Sequence, residues 1–185
     1  MRSIFALLIA VFLAACTPTG DSHMTDISGA MPALDFQMLR ASDGKPVTGK
    51  DYRGRITLLY FGYTNCPDVC PATLSNLALM LEELKGAPIT ILFVTVDPAR
   101  DTLPILAQYA HALAPQIEGL RGTQNELADV ARRYRVAYSV KAGPPYEVMH
   151  SGAVFFFDAA GKVRFVTTDT SNPAAMARDV RTLLP

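Results

Sequence analysis

The chain contains no tryptophan, only three cysteines and three histidines, and no surplus of either charge, since seventeen basic residues balance seventeen acidic ones. No Lys/Arg run occurs, so the counterion release that drives nucleic-acid binding is missing, and DNA and RNA are excluded as partners. No uninterrupted apolar stretch reaches the roughly 20 residues that a membrane-spanning helix needs. Internal repeats and low-complexity tracts are also missing, which argues against a solenoid. The absence of tryptophan removes one common ligand platform, although tyrosine and phenylalanine are plentiful enough for an ordinary core.

Of the 185 residues, half are hydrophobic. Once the N-terminal segment is set aside, about 160 remain, the size of one compact domain. Arg2 precedes an apolar run over residues 4–15, a length that suits a signal-peptide core. That run ends Leu13-Ala14-Ala15-Cys16, which resembles the lipobox of bacterial lipoproteins, where the cysteine is acylated and becomes the new N-terminus. The expectation is a leader over 1–15, a lipid anchor at Cys16 and a flexible stalk over 16–33, rich in Pro, Gly, Ser and Thr without apolar periodicity. A plain secretory peptide that leaves Cys16 as a free thiol, or an uncleaved tether, is the competing reading. The domain is expected over 34–185.

Within it, residues 35–40 alternate as a strand does, and Ser42-Asp43-Gly44-Lys45 supplies a turn into a second short strand near Val47. Residues 56–61 form a nearly unbroken apolar run, the mark of a strand covered on both faces. From Pro71 onward Leu74, Leu77, Ala78, Leu81 and Leu84 recur at helical spacing. A second buried strand follows over 89–96, then a helix through Ile105, Leu106 and Tyr109, and another over 125–134 capped by Thr123 or Asn125. Strands over 153–157 and 163–167, joined by a hairpin-length connection, precede a closing helix over 173–184. This order predicts an α/β, thioredoxin-like fold with an additional N-terminal β-hairpin and inserted helices.

With Cys16 assigned to the membrane, Cys66 and Cys70 are a pair by elimination in an exported, oxidising compartment. They lie in Tyr60-Phe61-Gly62-Tyr63-Thr64-Asn65-Cys66-Pro67-Asp68-Val69-Cys70-Pro71, at the carboxyl end of a central strand and the start of a helix. Helix-start amides favour thiolate, so both cysteines are expected to be reactive near neutral pH. A spacing of four brings them to one helical face, whereas thioredoxin-type redox motifs have two intervening residues. Two soft thiolates favour Cu(I) or zinc, and imidazole is a suitable third ligand for Cu(I). His23 falls in the expected stalk and His111 on a polar helix, whereas His150 immediately precedes the strand that in this fold faces the cysteine turn.

Residues 61–71, the later Val96-Asp97-Pro98-Ala99-Arg100-Asp101-Thr102, and His150-Ser151-Gly152 before an apolar strand together resemble the Sco/SenC family. The resemblance spans about residues 33–184. It implies a copper chaperone that binds copper through Cys66, Cys70 and His150, as Cu(I) with Cu(II) as a second candidate. It further implies that the cargo goes to the binuclear copper centre of cytochrome c oxidase, or that the thiols of that centre are reduced. Expected partners are the copper-centre subunit of the oxidase, other periplasmic copper carriers or thiol reductases, and a membrane reached through the lipid anchor. The expected location is the periplasm-facing side of a bacterial envelope. Two features depart from the family pattern: a lipobox in place of a membrane-spanning anchor, and Met149 where an acidic residue is common before the histidine.

Simpler readings stand beside these. Two exported thiols commonly form a structural disulfide, and a lone histidine is commonly a hydrogen-bonding residue. As a thiol-disulfide oxidoreductase the protein would need Cys66 and Cys70 but not His150; as a metallochaperone it has no catalytic residue. A closed zinc site wants four ligands and only three are found. Asp97, Arg100 and Asp101 are explained by a strand end and a helix cap, and Met24, Met31 and Met38 are read as incidental rather than copper-collecting.

Overall fold

The computed structural model describes residues 22–184. The expected leader over 1–15 and the expected anchor at Cys16 lie outside the described residues. Ten strands occur in chain order: β1 Thr25–Asp26, β2 Gln37–Arg40, β3 Pro46–Thr48, β4 Ile56–Gly62, β5 Ile89–Thr95, β6 Ile117–Arg121, β7 Tyr138–Lys141, β8 Glu147–His150, β9 Val154–Phe157 and β10 Val163–Thr167. The helices are α1 Val69–Glu83, α2 Leu103–Leu113, α3 Gln124–Arg133 and α4 Pro173–Arg181. Eight strands form one sheet in the order β1-β10-β9-β4-β5-β6-β2-β3, while β7 and β8 pair only with each other.

At the centre β4, β5 and β6 run parallel, with antiparallel β9 and β10 on one side and the β2–β3 hairpin on the other. Every residue of β4 and β5 is buried. Side-chain alternation splits β4 between two cores. Leu58 and Tyr60 pack with Leu74, Leu77, Met176 and Val180 from α1 and α4, and Leu106 of α2 joins that face. Leu59 and Phe61 pack with Leu127 and Val130 of α3 on the other. Each such fully buried large side chain contributes about 1.5–3 kcal/mol against exposure, so the strand pair is the rigid floor on which the loops stand.

The hairpin, the buried central strands and the closing hairpin and helix all stand as expected, and Thr123 is the cap of α3, its hydroxyl accepting from the Glu126 amide. Three elements were not anticipated. β6 carries Glu118 and Gly119, weak strand formers that hold their place because β5 and β2 pair with them. The β7–β8 hairpin is largely exposed, with only Tyr138 and Val148 packing against the core, so little in its sequence marks it. β1 belongs to the segment expected to be a flexible stalk, yet from Ser22 the chain lies on the domain. Met24 is buried, its amide donates to Asp179 Oδ2 at 2.9 Å, β1 pairs with β10, and the Leu34 amide donates to the Gly161 carbonyl. Met24 and Met38 are core residues. Among the described residues no helix is long and apolar enough to cross a membrane.

Candidate metal centre

β4 delivers the chain to the sheet edge and ends at Gly62, after which a turn over 63–66 carries Cys66 and α1 begins. Cys70 is the second residue of α1, which starts at Val69, two residues before the expected start at Pro71. Gly62 has a steric reason. A Cβ there would lie 2.8 Å from Cys70 Sγ and 2.6 Å from the Phe93 ring, so a side chain would displace the sulfur. Cys66 is half-buried and Cys70 has no exposed surface; both are free thiols.

From the other side, β8 ends on His150. Its Nε2 lies 3.3 Å from Cys70 Sγ, and its Nδ1 lies 3.1 Å from the Ser151 carbonyl oxygen. A carbonyl only accepts, so Nδ1–H donates to it, and Nε2 is the ring nitrogen that faces the sulfurs. The rings of Tyr60 and Tyr63 meet the imidazole edge-on, with centroids 6.1 and 5.9 Å away. One donor atom from each of Cys66, Cys70 and His150 lies within 4.8 Å of the others. The three residues singled out from the sequence are thus brought together. His23 and His111 are in no such group among the described residues. Met149, next along an alternating strand, is among the most exposed apolar residues and points away from the imidazole's side.

The two thiols differ. Burial pushes Cys66 up, but the amides of Asp68 and Cys70 and the side chains of Cys70 and Tyr63 outweigh it, and its pKa falls below the ordinary value. The Cys70 amide donates to Cys66 Sγ at 3.4 Å. For Cys70, burial dominates and the thiol is pushed up to about 12. This corrects the expectation that both would be reactive: a helix-start field is worth about 0.3–1 kcal/mol, less than full desolvation. Burial, and next the neighbouring Cys70, likewise raise the Tyr60 and Tyr109 hydroxyls.

The segment over 97–101 does more than end a strand and cap a helix. Thr102, the N-cap of α2, makes no side-chain cap bond. The buried Asp101 carboxyl instead accepts from the Thr64 amide at 3.1 Å, the Thr64 hydroxyl at 2.6 Å and the Thr95 hydroxyl at 2.5 Å, fastening the cysteine turn to β5. Asp97, equally buried, accepts from Tyr146 Oη at 2.8 Å and pairs with Arg100. No local sequence signal marks these roles, because the partners that tie the segment to the site, Thr64 for Asp101 and Tyr146 for Asp97, are distant in the chain.

A family model described as SCO1/SenC matches residues 27–185. The chain belongs to the SCO1/SenC family. The mitochondrial SCO2 homolog of Bos taurus is 42% identical over 136 residues, 69% of this chain and 50% of that protein. ScoI of Bradyrhizobium japonicum, solved with copper bound, superposes with a TM-score of 0.75 at 31% identity over 82% of this chain and 99% of that one. Yeast Sco1, also solved with copper bound, gives 0.74 at 32% identity over 82% and 88%. The chain spans about half the length of the curated relatives it matches. The fold it shares with these SCO1/SenC structures is the thioredoxin-like one expected from the element order.

Proposed function

We propose that this protein is a metallochaperone that carries Cu(I) on Cys66, Cys70 and His150 and passes it to the binuclear copper centre of cytochrome c oxidase. The observation that carries this reading is the convergence of two sulfurs and one imidazole nitrogen within 4.8 Å on the rim of a buried aromatic floor. Two soft thiolates with one imidazole suit a trigonal Cu(I) site, and three ligands leave a face open for a fourth, incoming donor. Loading displaces the Cys70 proton, so uptake weakens as pH falls. The copper-bound relatives lend support. Other periplasmic copper carriers or thiol reductases serve as source and reductant, and Cu(II) is a second cargo. The lipobox-like Leu13-Ala14-Ala15-Cys16 supports anchoring through lipid on Cys16 at a bacterial envelope membrane, facing the periplasm.

A second reading rests on the asymmetry of the thiols. Cys66, depressed and half-exposed, suits attack on a partner disulfide; Cys70, close by, suits resolution. That exchange would release a reduced partner dithiol and leave a Cys66–Cys70 disulfide, and it would not need His150.

Anaerobic titration of the reduced chain with Cu(I) separates the two. His150→Ala is expected to weaken binding at least about tenfold through loss of one ligand, and Cys66→Ala with Cys70→Ala to abolish it. Unchanged affinity in His150→Ala together with fast disulfide exchange would transfer the assignment to the oxidoreductase.

A further inference from the structure

The hairpin that bears His150 is tied loosely to the domain. Its strands pair only with each other, and most of its residues are exposed. Tyr138 and Val148 pack against the core beside α3, and among the described residues the hairpin's side chains make two long-range polar contacts with the rest of the molecule: His150 with Cys70, and Tyr146 with Asp97. Tyr146 lies four residues before His150, about 13 Å along an extended strand, so the two polar pins are well separated.

The second pin is well built. Asp97 is only 1% exposed, with one carboxyl oxygen accepting from Tyr146 Oη at 2.8 Å and the other paired with Arg100. The Arg100 guanidinium stacks on the Tyr146 ring with its carbon 3.9 Å from the centroid, and the same carbon lies 5.8 Å from the centroid of Tyr63. Tyr63 in turn meets the His150 ring edge-on. Four residues along, Asp101 fastens the cysteine turn. One short loop therefore holds both halves of the donor set, the sulfur side through Asp101 and the imidazole side through Asp97 and Arg100.

We propose that Tyr146, seated on Asp97 and Arg100, is a latch that keeps the His150 hairpin closed over Cys66 and Cys70, and that its release sets how fast His150 lets go of the metal during transfer. This inference rests on the reading of the site as a three-donor Cu(I) carrier. Opening of the latch leaves the imidazole on a hairpin free to swing, exposing a two-thiolate ion to an incoming ligand, while Asp101 keeps the sulfurs in place. Tyr146 is a positioning residue: it acts on the cargo only through His150.

The test uses the full chain, reduced and anaerobic, in four forms: wild type, Tyr146→Phe, His150→Ala and the double variant. Tyr146→Phe deletes the hydroxyl while keeping the ring on Arg100. Two quantities are read, the rate at which Cu(I) passes to bathocuproine disulfonate, and hydrogen exchange of hairpin amides against core amides in β4 and β5 of the copper-free protein. The expected result is release about tenfold faster in Tyr146→Phe, the loss of one hydrogen bond to a buried carboxyl. No further acceleration is expected when the substitution is added to His150→Ala, and faster exchange should be confined to residues 138–149. Equal acceleration in both backgrounds, or hairpin exchange unchanged by Tyr146→Phe, overturns the latch. If His150→Ala alone releases copper at the wild-type rate, the three-donor reading fails, and the exchange measurement still decides whether Tyr146 holds the hairpin.

Discussion

Cys66 and Cys70 are separated by one helical turn and by a large difference in surroundings. At Cys66 the sulfur faces two amides and a solvent edge; at Cys70 it is sealed against Tyr60 and Phe93 beneath Gly62. Thiolate, not thiol, is the nucleophile, so the lowered pKa of Cys66 and the value near 12 for Cys70 order their reactivity. In the reduced, metal-free chain, iodoacetamide near neutral pH is expected to modify Cys66 at least about tenfold faster than Cys70, as read by mass spectrometry of the two peptides. Preferential labelling of Cys70 would contradict the assignment. A raised folded-state pKa also means that Cys70 stabilises the reduced fold fully below the unfolded thiol value, and that this contribution drains away as pH climbs toward 12. Both cysteines and the histidine were legible as residues, since each has a recognisable type and neighbourhood. Their inequality was not, because desolvation is a property of what packs on top.

Among elements, the segment over 97–101 has the greatest influence for its length. Asp101 accepts three hydrogen bonds from two strands' ends and is inaccessible to solvent, so removing it strands Thr64 and Thr95 donors in the interior. Asp101→Ala is expected to lower unfolding free energy by about 2–4 kcal/mol and to weaken Cu(I) binding through a slackened cysteine turn. A thermal melt and a Cu(I) titration on one preparation check both, and an unchanged melt would remove Asp101 from the positioning role. Read locally, Asp101-Thr102 before a helical stretch looks like a cap, and that reading is satisfied by propensity alone. What overrides it is the parallel pairing of β4 with β5, which sets Thr95 beside Gly62 and brings the Asp101 carboxyl to the turn. The β7–β8 hairpin was illegible for the opposite reason: its strands are short and mostly exposed, and only Tyr138 and Val148 pack against the core, too few positions to mark a pattern in the sequence.

At the scale of the whole molecule, the domain begins earlier than composition suggests. Residues 22–33 read as a tether because they lack periodicity, yet Met24 is 3% exposed in the same core as α4, and Ser22 Oγ and the Met24 amide both donate to Asp179. A chain starting at Leu34 is therefore expected to melt about 5–10 °C below one starting at Ser22, the burial of one methionine and an edge strand being worth about 2–3 kcal/mol. Differential scanning calorimetry of the two chains decides this, and equal melting temperatures would return 22–33 to the role of a tether.

The sequence by itself determined the class of the fold and picked out the three residues that the fold brings together, because periodicity and residue softness are properties of composition and order. Tertiary structure alone decided which thiol is buried, that Asp97, Arg100, Asp101 and Tyr146 hold the two halves of the site, and where the domain starts. Those outcomes depend on contacts between residues tens of positions apart, and their energies come from desolvation and hydrogen bonds that exist only once the sheet has assembled.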